Sequence, residues 1–155
     1  MPSRFPLTFQ QEWLWEAIRA NESWQCTAAR AFRLPGPLNI PLLQQCLQEV
    51  VGRHGGLRTR IVAHDELAWQ ETQEAEEHLL EKRNIDGACS EQVAANARRH
   101  FEEVYDRKMN RETGAWWNAK LFELSENEHW LVLAMHRLIG ECASIEQTYR
   151  ETKSL

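Results

Sequence analysis

Six apolar residues in a row, Trp130-Leu131-Val132-Leu133-Ala134-Met135, constrain this chain more than any other feature. The run is far shorter than the roughly 18 residues a membrane helix needs. It also lacks the polar–apolar alternation of a strand with one wet face. A strand apolar on every residue must be covered on both sides, so it belongs at the centre of a sheet flanked by further layers. Ser125-Glu126-Asn127 stands just before it, with a second strand-like segment, Ala115–Leu124, on the other side. The two read as a hairpin, Ala115–Leu124 and Glu128–Met135.

Helical periodicity supplies the covering layers. Thr8 followed three residues on by Gln11 has the form of a capping box and opens a first helix. Phe9, Trp13, Ala17 and Ile18 give that helix one expected buried face. A strand at Thr27–Leu34 ends at Pro35-Gly36-Pro37. The second helix, Ile40–Arg53, has Asn39 as cap, Pro41 in its first turn and a stripe of Leu42, Leu43, Cys46, Leu47, Val50 and Val51. Gly55-Gly56 is expected to stop it. Strands at Leu57–Ala63 and Leu67–Thr72 follow, joined at His64-Asp65-Glu66, and a short strand spans His78–Asn84. A third helix, Glu91–Met109 with Ser90 as cap, buries Val93, Ala97, Phe101, Val104 and Tyr105. A last helix starts at Ser144, with Gln147 completing a second capping box. These elements specify an α/β fold, a mixed β-sheet with helices packed on it, in one domain over residues 1–155.

Composition removes several function classes. With 18 Lys and Arg against 23 Asp and Glu, the formal charge is −5, which argues against nucleic acid as a partner, since phosphate binding needs concentrated positive charge. Lys82-Arg83 and Arg98-Arg99 sit beside Glu81, Glu102 and Glu103 and read as solvated helix faces. No stretch spans a membrane, and Met1 to Pro6 lacks the apolar core of a secretory signal, so a cytoplasmic location is expected. Asn21-Glu22-Ser23 matches a glycosylation sequon, which has no meaning without secretion. Cys26, Cys46, Cys89 and Cys142 are too scattered for a zinc site, and Cys46 reads as a small buried hydrophobe. His64, His78, His100 and His129 have no metal-ligand arrangement around them and read as surface histidines. The seven tryptophans, at 13, 15, 24, 69, 116, 117 and 130, suggest scattered packing, with an aromatic binding cleft as the alternative. No P-loop, dinucleotide glycine pattern, HExxH or GxSxG occurs.

Three segments in order carry a family resemblance. Leu34-Pro35-Gly36-Pro37-Leu38-Asn39, then Leu43, Leu47, Val51 and the run Arg53-His54-Gly55-Gly56-Leu57-Arg58-Thr59-Arg60, resemble the RLxGxLdxxxLxxAL and RHExLRT stretch of nonribosomal peptide synthetase condensation domains. Leu7–Trp15 resembles that family's LSxAQxRLW, keeping Gln11, Leu14 and Trp15. Glu128–His136 is similar to the strand leading into its HHxxxDG motif. The resemblance implies a chloramphenicol acetyltransferase-like fold, in which two lobes form a V around a tunnel. This chain looks like the N-terminal lobe alone. Gln11, Trp15, Arg53, His54, Leu57, Arg58 and Thr59 take structural roles by the same resemblance.

Aligned on Met135, HHxxxDG becomes His136-Arg137-Leu138-Ile139-Gly140-Glu141-Cys142. The motif's second histidine, a general base or amine-positioning group in the family, is Arg137. Its aspartate is Glu141 and its glycine Cys142; Gly55 likewise replaces the acidic residue of RHExLRT. Imidazole titrates near pH ~6.5 and can exchange a proton at neutrality. A guanidinium, with a pKa above ~12, cannot. His136 should point to the opposite side of the strand from Arg137 and serve as a core histidine. Arg137 and Glu141 are expected to pair in the vacated site.

The sequence therefore implies a non-catalytic condensation-like half-domain, a docking, scaffold or linker module in nonribosomal peptide or hybrid polyketide–peptide biosynthesis. The alternative is one half of a split acyltransferase whose partner lobe supplies a base. Expected partners are a carrier protein, a neighbouring synthetase domain, a complementary second lobe or a second copy. No cofactor is expected beyond the phosphopantetheine arm of a carrier protein.

Overall fold

The computed structural model describes residues 3–21, 26–64, 67–74, 80–106 and 116–155. Several sequence features lie outside them: Glu22 and Ser23 of the sequon, Trp24, the turn residues Asp65 and Glu66, the first residues of the strand expected from His78, the helix end at Met109, and Ala115.

The hairpin forms as its sequence dictates, with β6 (Trp117–Ser125) and β7 (Glu128–His136) antiparallel. β7 lies inside a four-stranded sheet, between β2 (Thr27–Pro35) and β6, with β5 (Glu81–Asn84) on the far side of β6. Its alternating side chains feed two cores. Leu131, Leu133 and Met135 pack with Leu47 and Val51 of α2 (Ile40–Arg53) and Ile145 of α4 (Cys142–Ser154). Val132 and Ala134 pack on the other face with Ala97 and Val104 of α3 (Ser90–Asp106). All five β7 side chains are at most 1% exposed. β5 (Glu81–Asn84) runs parallel to β6, the two being connected through α3, as a parallel pair requires.

A second sheet, β1-β4-β3, joins Ser3–Pro6, Leu67–Thr72 and Thr59–His64 in antiparallel register. β1 was not anticipated: four residues ending in a proline carry no strand period. α1 (Phe9–Ala20) closes a third cluster, Leu7, Ile18, Cys26, Ile61, Trp116 and Leu138, with Leu14 and Trp15 against it. No helix among the described residues is long and apolar enough to cross a membrane.

Several expectations need correction. Phe9 and Trp13 are 86% and 62% exposed rather than buried. At 100° per residue they lie nearly opposite Gln11, Leu14, Trp15 and Ile18, the edge that meets the second sheet. Leu42 and Tyr105 likewise sit at the wet margins of their helices. Gly55-Gly56 does not end α2 in a left-handed turn. His54 ends it, and Gly55–Arg58 form a 3₁₀ turn, so β3 starts at Thr59 rather than Leu57. α3 begins at Ser90 because the Cys89 carbonyl accepts from Val93 and the Gln92 side chain accepts from the Ala88 N–H. α4 begins at Cys142, capped by Glu141, while Gln147 reaches Glu151 instead of a cap. His129 is buried within β7, not a surface histidine. Lys82 and Arg83 are exposed on the strand β5, whereas Arg98 and Arg99 occupy a solvated helix face as expected.

Candidate functional site

The HHxxxDG-like segment forms the short connection between the end of β7 and the start of α4. His136, the last residue of β7, is 6% exposed. Its Nδ1 accepts the Leu138 N–H at 3.1 Å, and its ring meets Trp116 edge-on with centroids 4.8 Å apart. Arg137 turns the other way, as a residue adjacent to a strand end should. Its backbone N–H is fixed to the Cys26 carbonyl at 2.7 Å while its side chain is exposed. Leu138 returns to the core at 2% exposure. Gly140 is a close approach: a Cβ there would run into Met135 Sδ.

Gln11 secures this connection to α1. Its Nε2 donates to the Leu138 carbonyl at 2.8 Å and to Gln70 Oε1 at 3.0 Å, while its Oε1 accepts the Thr8 N–H at 2.9 Å. One half-buried amide thus closes the capping box of α1 and ties both the second sheet and the motif connection to it. Trp15 packs against the same cluster.

A groove of about 540 Å³ opens where α1, the connection and the first turn of α4 meet. Arg137 and Glu141 both line it, with Gln10, Trp13, Leu14 and Ser144. The ion pair expected between Arg137 and Glu141 is absent among the described residues. Glu141 is engaged elsewhere: it caps α4, its backbone N–H reaches Ser144 Oγ at 3.4 Å, and its carboxylate accepts from Gln10 Nε2 at 3.4 Å. Cys142, the first residue of α4, is exposed. His136 is not part of the groove wall. Trp13 and Ser144 were missed as groove residues because the sequence assigned Trp13 to the core and Ser144 to a cap.

The second motif builds a separate hollow of about 240 Å³ on the other side of Ser144. His54 Nε2 lies 2.6 Å from Glu151 Oε2, and the neighbouring His54 imidazole and Gln147 amide hold the Glu151 carboxyl below the usual range. Arg58 donates to the carbonyls of Val51 at 3.2 Å and Gln73 at 2.5 Å; Thr59 Oγ1 donates to Gly55 O at 2.8 Å. Leu57 packs on the main core, and Arg53 pairs with Glu49 one turn earlier at the surface. Among the described residues no group of three or more His, Cys, Asp or Glu side chains is placed to hold a metal.

Known proteins share this fold. The family model for the condensation domain matches residues 2–154. The chain is 28% identical over 151 residues to the probable non-canonical nonribosomal peptide synthetase CymA of Salinispora arenicola, an alignment covering 97% of this chain and 2% of CymA. Among solved structures, the starter condensation domain of rhizomide synthetase RzmA superposes with a TM-score of 0.84 at 13% identity, over 97% of this chain and 36% of that one. The X-domain in its complex with OxyB from teicoplanin biosynthesis gives 0.79 at 24% identity, over 98% and 32%. The chain thus spans a small part of CymA and about a third of each of these solved chains. Its fold is that of a chloramphenicol acetyltransferase-like lobe, and with the family matched over almost every residue, this chain belongs to the condensation domain family.

Proposed function

We propose that this condensation-family lobe does not itself form amide bonds, and serves nonribosomal peptide or hybrid polyketide–peptide assembly as a docking or scaffold module. The observation that carries the reading is Arg137. It lines the groove at the position of the motif's second histidine, and a guanidinium cannot take a proton from an attacking amine near neutrality. His136 is no substitute in this reading: its ring is buried, its Nδ1 is used by Leu138, and it stands outside the groove. The X-domain complex with OxyB supports the docking side, since there a chain of similar fold is bound to another protein. The partner here is a carrier protein, with its phosphopantetheine arm entering from the groove side, or a neighbouring synthetase domain.

A second reading is one half of a split acyltransferase, in which a complementary lobe on a partner supplies the base that Arg137 cannot. Both are tested by offering a thioester-loaded carrier and an amine acceptor to the wild-type lobe and to the Arg137→His, Glu141→Asp double variant, each with and without a second lobe. The docking reading expects carrier or domain binding and no amide product from the wild type in any mixture. Multiple turnover by the unaltered lobe alone overturns it; turnover by the wild type only with a second lobe selects the split enzyme.

A further inference from the structure

Side chains of the second sheet alternate between two faces. The inner face is committed: Ile61 and Ala68 join the cluster that α1 closes, and Gln70 holds Gln11. The outer face is built in rows set by the strand register. Arg4, Glu71 and Arg60 stand abreast, then Pro6, Trp69 and Val62, then Leu67 and His64. A solvated face of an antiparallel sheet is ordinarily polar. Here Pro6 is exposed, Trp69 and Val62 are half-buried, and Leu67 is 65% exposed. None of these four belongs to an apolar cluster among the described residues. The first row is cationic, two guanidiniums against one carboxylate, in a chain whose formal charge is −5. Glu71 is 2% exposed and fixes both arginines, whose side chains are 64% (Arg4) and 46% (Arg60) exposed. Arg4 bonds to it through Nε, and Arg60 through Nε and Nη2. The other N–H groups of both guanidiniums bond nothing among the described residues.

We propose that this outer face docks a partner polypeptide whose carboxylates lie beside apolar side chains: the carboxylates on Arg4 and Arg60, the apolar groups on Trp69, Val62 and Leu67. The sign of the first row selects an acidic partner, and tryptophan and arginine are the residues most enriched at interface centres. A small ligand needs concave walls, whereas a sheet face three strands wide suits a polypeptide. The inference rests on the docking reading and gives it a surface separate from the groove, which none of these residues lines.

The test is an NMR titration of the labelled chain with the acetylated, amidated peptide Glu-Ser-Phe-Ser-Leu. Extended, this peptide presents Glu, Phe and Leu on one side at the strand repeat; analogues carry Gln or Lys in place of Glu. The glutamate peptide is expected to give saturable amide shifts in β1, β3 and β4 that weaken as salt is raised. The glutamine analogue binds about three- to fivefold more weakly, the scale of one exposed ion pair, and the lysine analogue more weakly still. The Arg4→Gln, Arg60→Gln, Glu71→Gln variant has a neutral row with no stranded buried charge, and in it the preference for glutamate disappears. In Leu67→Ser all three peptides weaken together. Arg4→Gln alone removes one exposed guanidinium and reduces the preference, which carries the test even if the triple variant fails to fold. No saturable peptide binding, equal binding of the three peptides, an unchanged preference in Arg4→Gln, or shifts confined to α1 and the β7–α4 connection overturns the proposal. Leu67-dependent binding to phosphatidylglycerol vesicles without saturable peptide binding assigns the face to a lipid surface and likewise overturns it. A carrier protein titrated in parallel separates the two readings: carrier binding without peptide binding sinks this surface and leaves the docking reading standing.

Discussion

Glu71 is a carboxylate only 2% exposed, and it is tolerable because its oxygens are surrounded by donors. Arg4 Nε reaches Oε1 at 3.0 Å; Arg60 Nε and Nη2 reach Oε2 at 2.9 and 2.6 Å; Gln73 Nε2 adds a contact at 3.0 Å. The Arg60 and then the Arg4 hydrogen bonds hold this carboxyl below its ordinary range. A carboxyl with a lowered folded-state pKa stabilises the protein fully above the unfolded value, and loses that contribution as pH falls through the folded value. Glu71→Gln is therefore expected to be less stable at neutral pH and to show a flatter acid limb. Its urea midpoint should converge with the wild type's at low pH; parallel curves would contradict this. Gly140 is the other residue fixed by its surroundings. Gly140→Ala drives a Cβ into Met135 Sδ and places it 3.2 Å from Ser144 Cβ, and overpacking of this kind should cost about 1–3 kcal/mol, read as a lowered melting temperature. Neither environment was legible in the sequence, since Glu71 meets partners from two other strands and Gly140 meets a side chain from β7. The substitution at Arg137 was legible, because its place beside the β7 run is fixed by adjacent residues alone. Its failure to pair with Glu141 was not, because the Glu141 cap depends on α4 starting two residues before the expected Ser144.

Elements whose signal is complete within themselves were readable. The bounds of α2 agree with the sequence at both ends, with Asn39 Oδ1 accepting from Leu42 at 3.1 Å, and β7 is central and covered on both faces. Leu133 stands there at 1% exposure between β2 and β6. Leu133→Ala should cost about 2–5 kcal/mol, measured by denaturant unfolding; a loss well under that range would mean that the surrounding core collapses into the space. The face of α1 was not readable in the same way. Phe9, Trp13 and Ala17 satisfy helical spacing, and so do Gln11, Leu14, Trp15 and Ile18. The choice between them is made by the second sheet and by the Leu138 carbonyl that Gln11 must reach. β1 was hidden for a related reason: its register with β4 exists only once that partner is in place.

At the scale of the whole molecule, the two sheets meet through α1 and the β7–α4 connection, which is also where the groove lies. The hairpin and the helices are local in sequence, but the pairing of Thr27 with His136 and of Pro35 with Glu128 is not. During synthesis, β2 leaves the ribosome long before β7 is made, and among the described strands β7 is its one neighbour. The nascent lobe must therefore carry an unpaired strand edge and half-formed apolar layers until the 128–136 segment emerges, and long-range pairing of this kind is slow and prone to aggregation. Arrest of translation before that point leaves a chain suited to chaperone capture, whereas the addition of one nine-residue strand supplies the layer that both cores share.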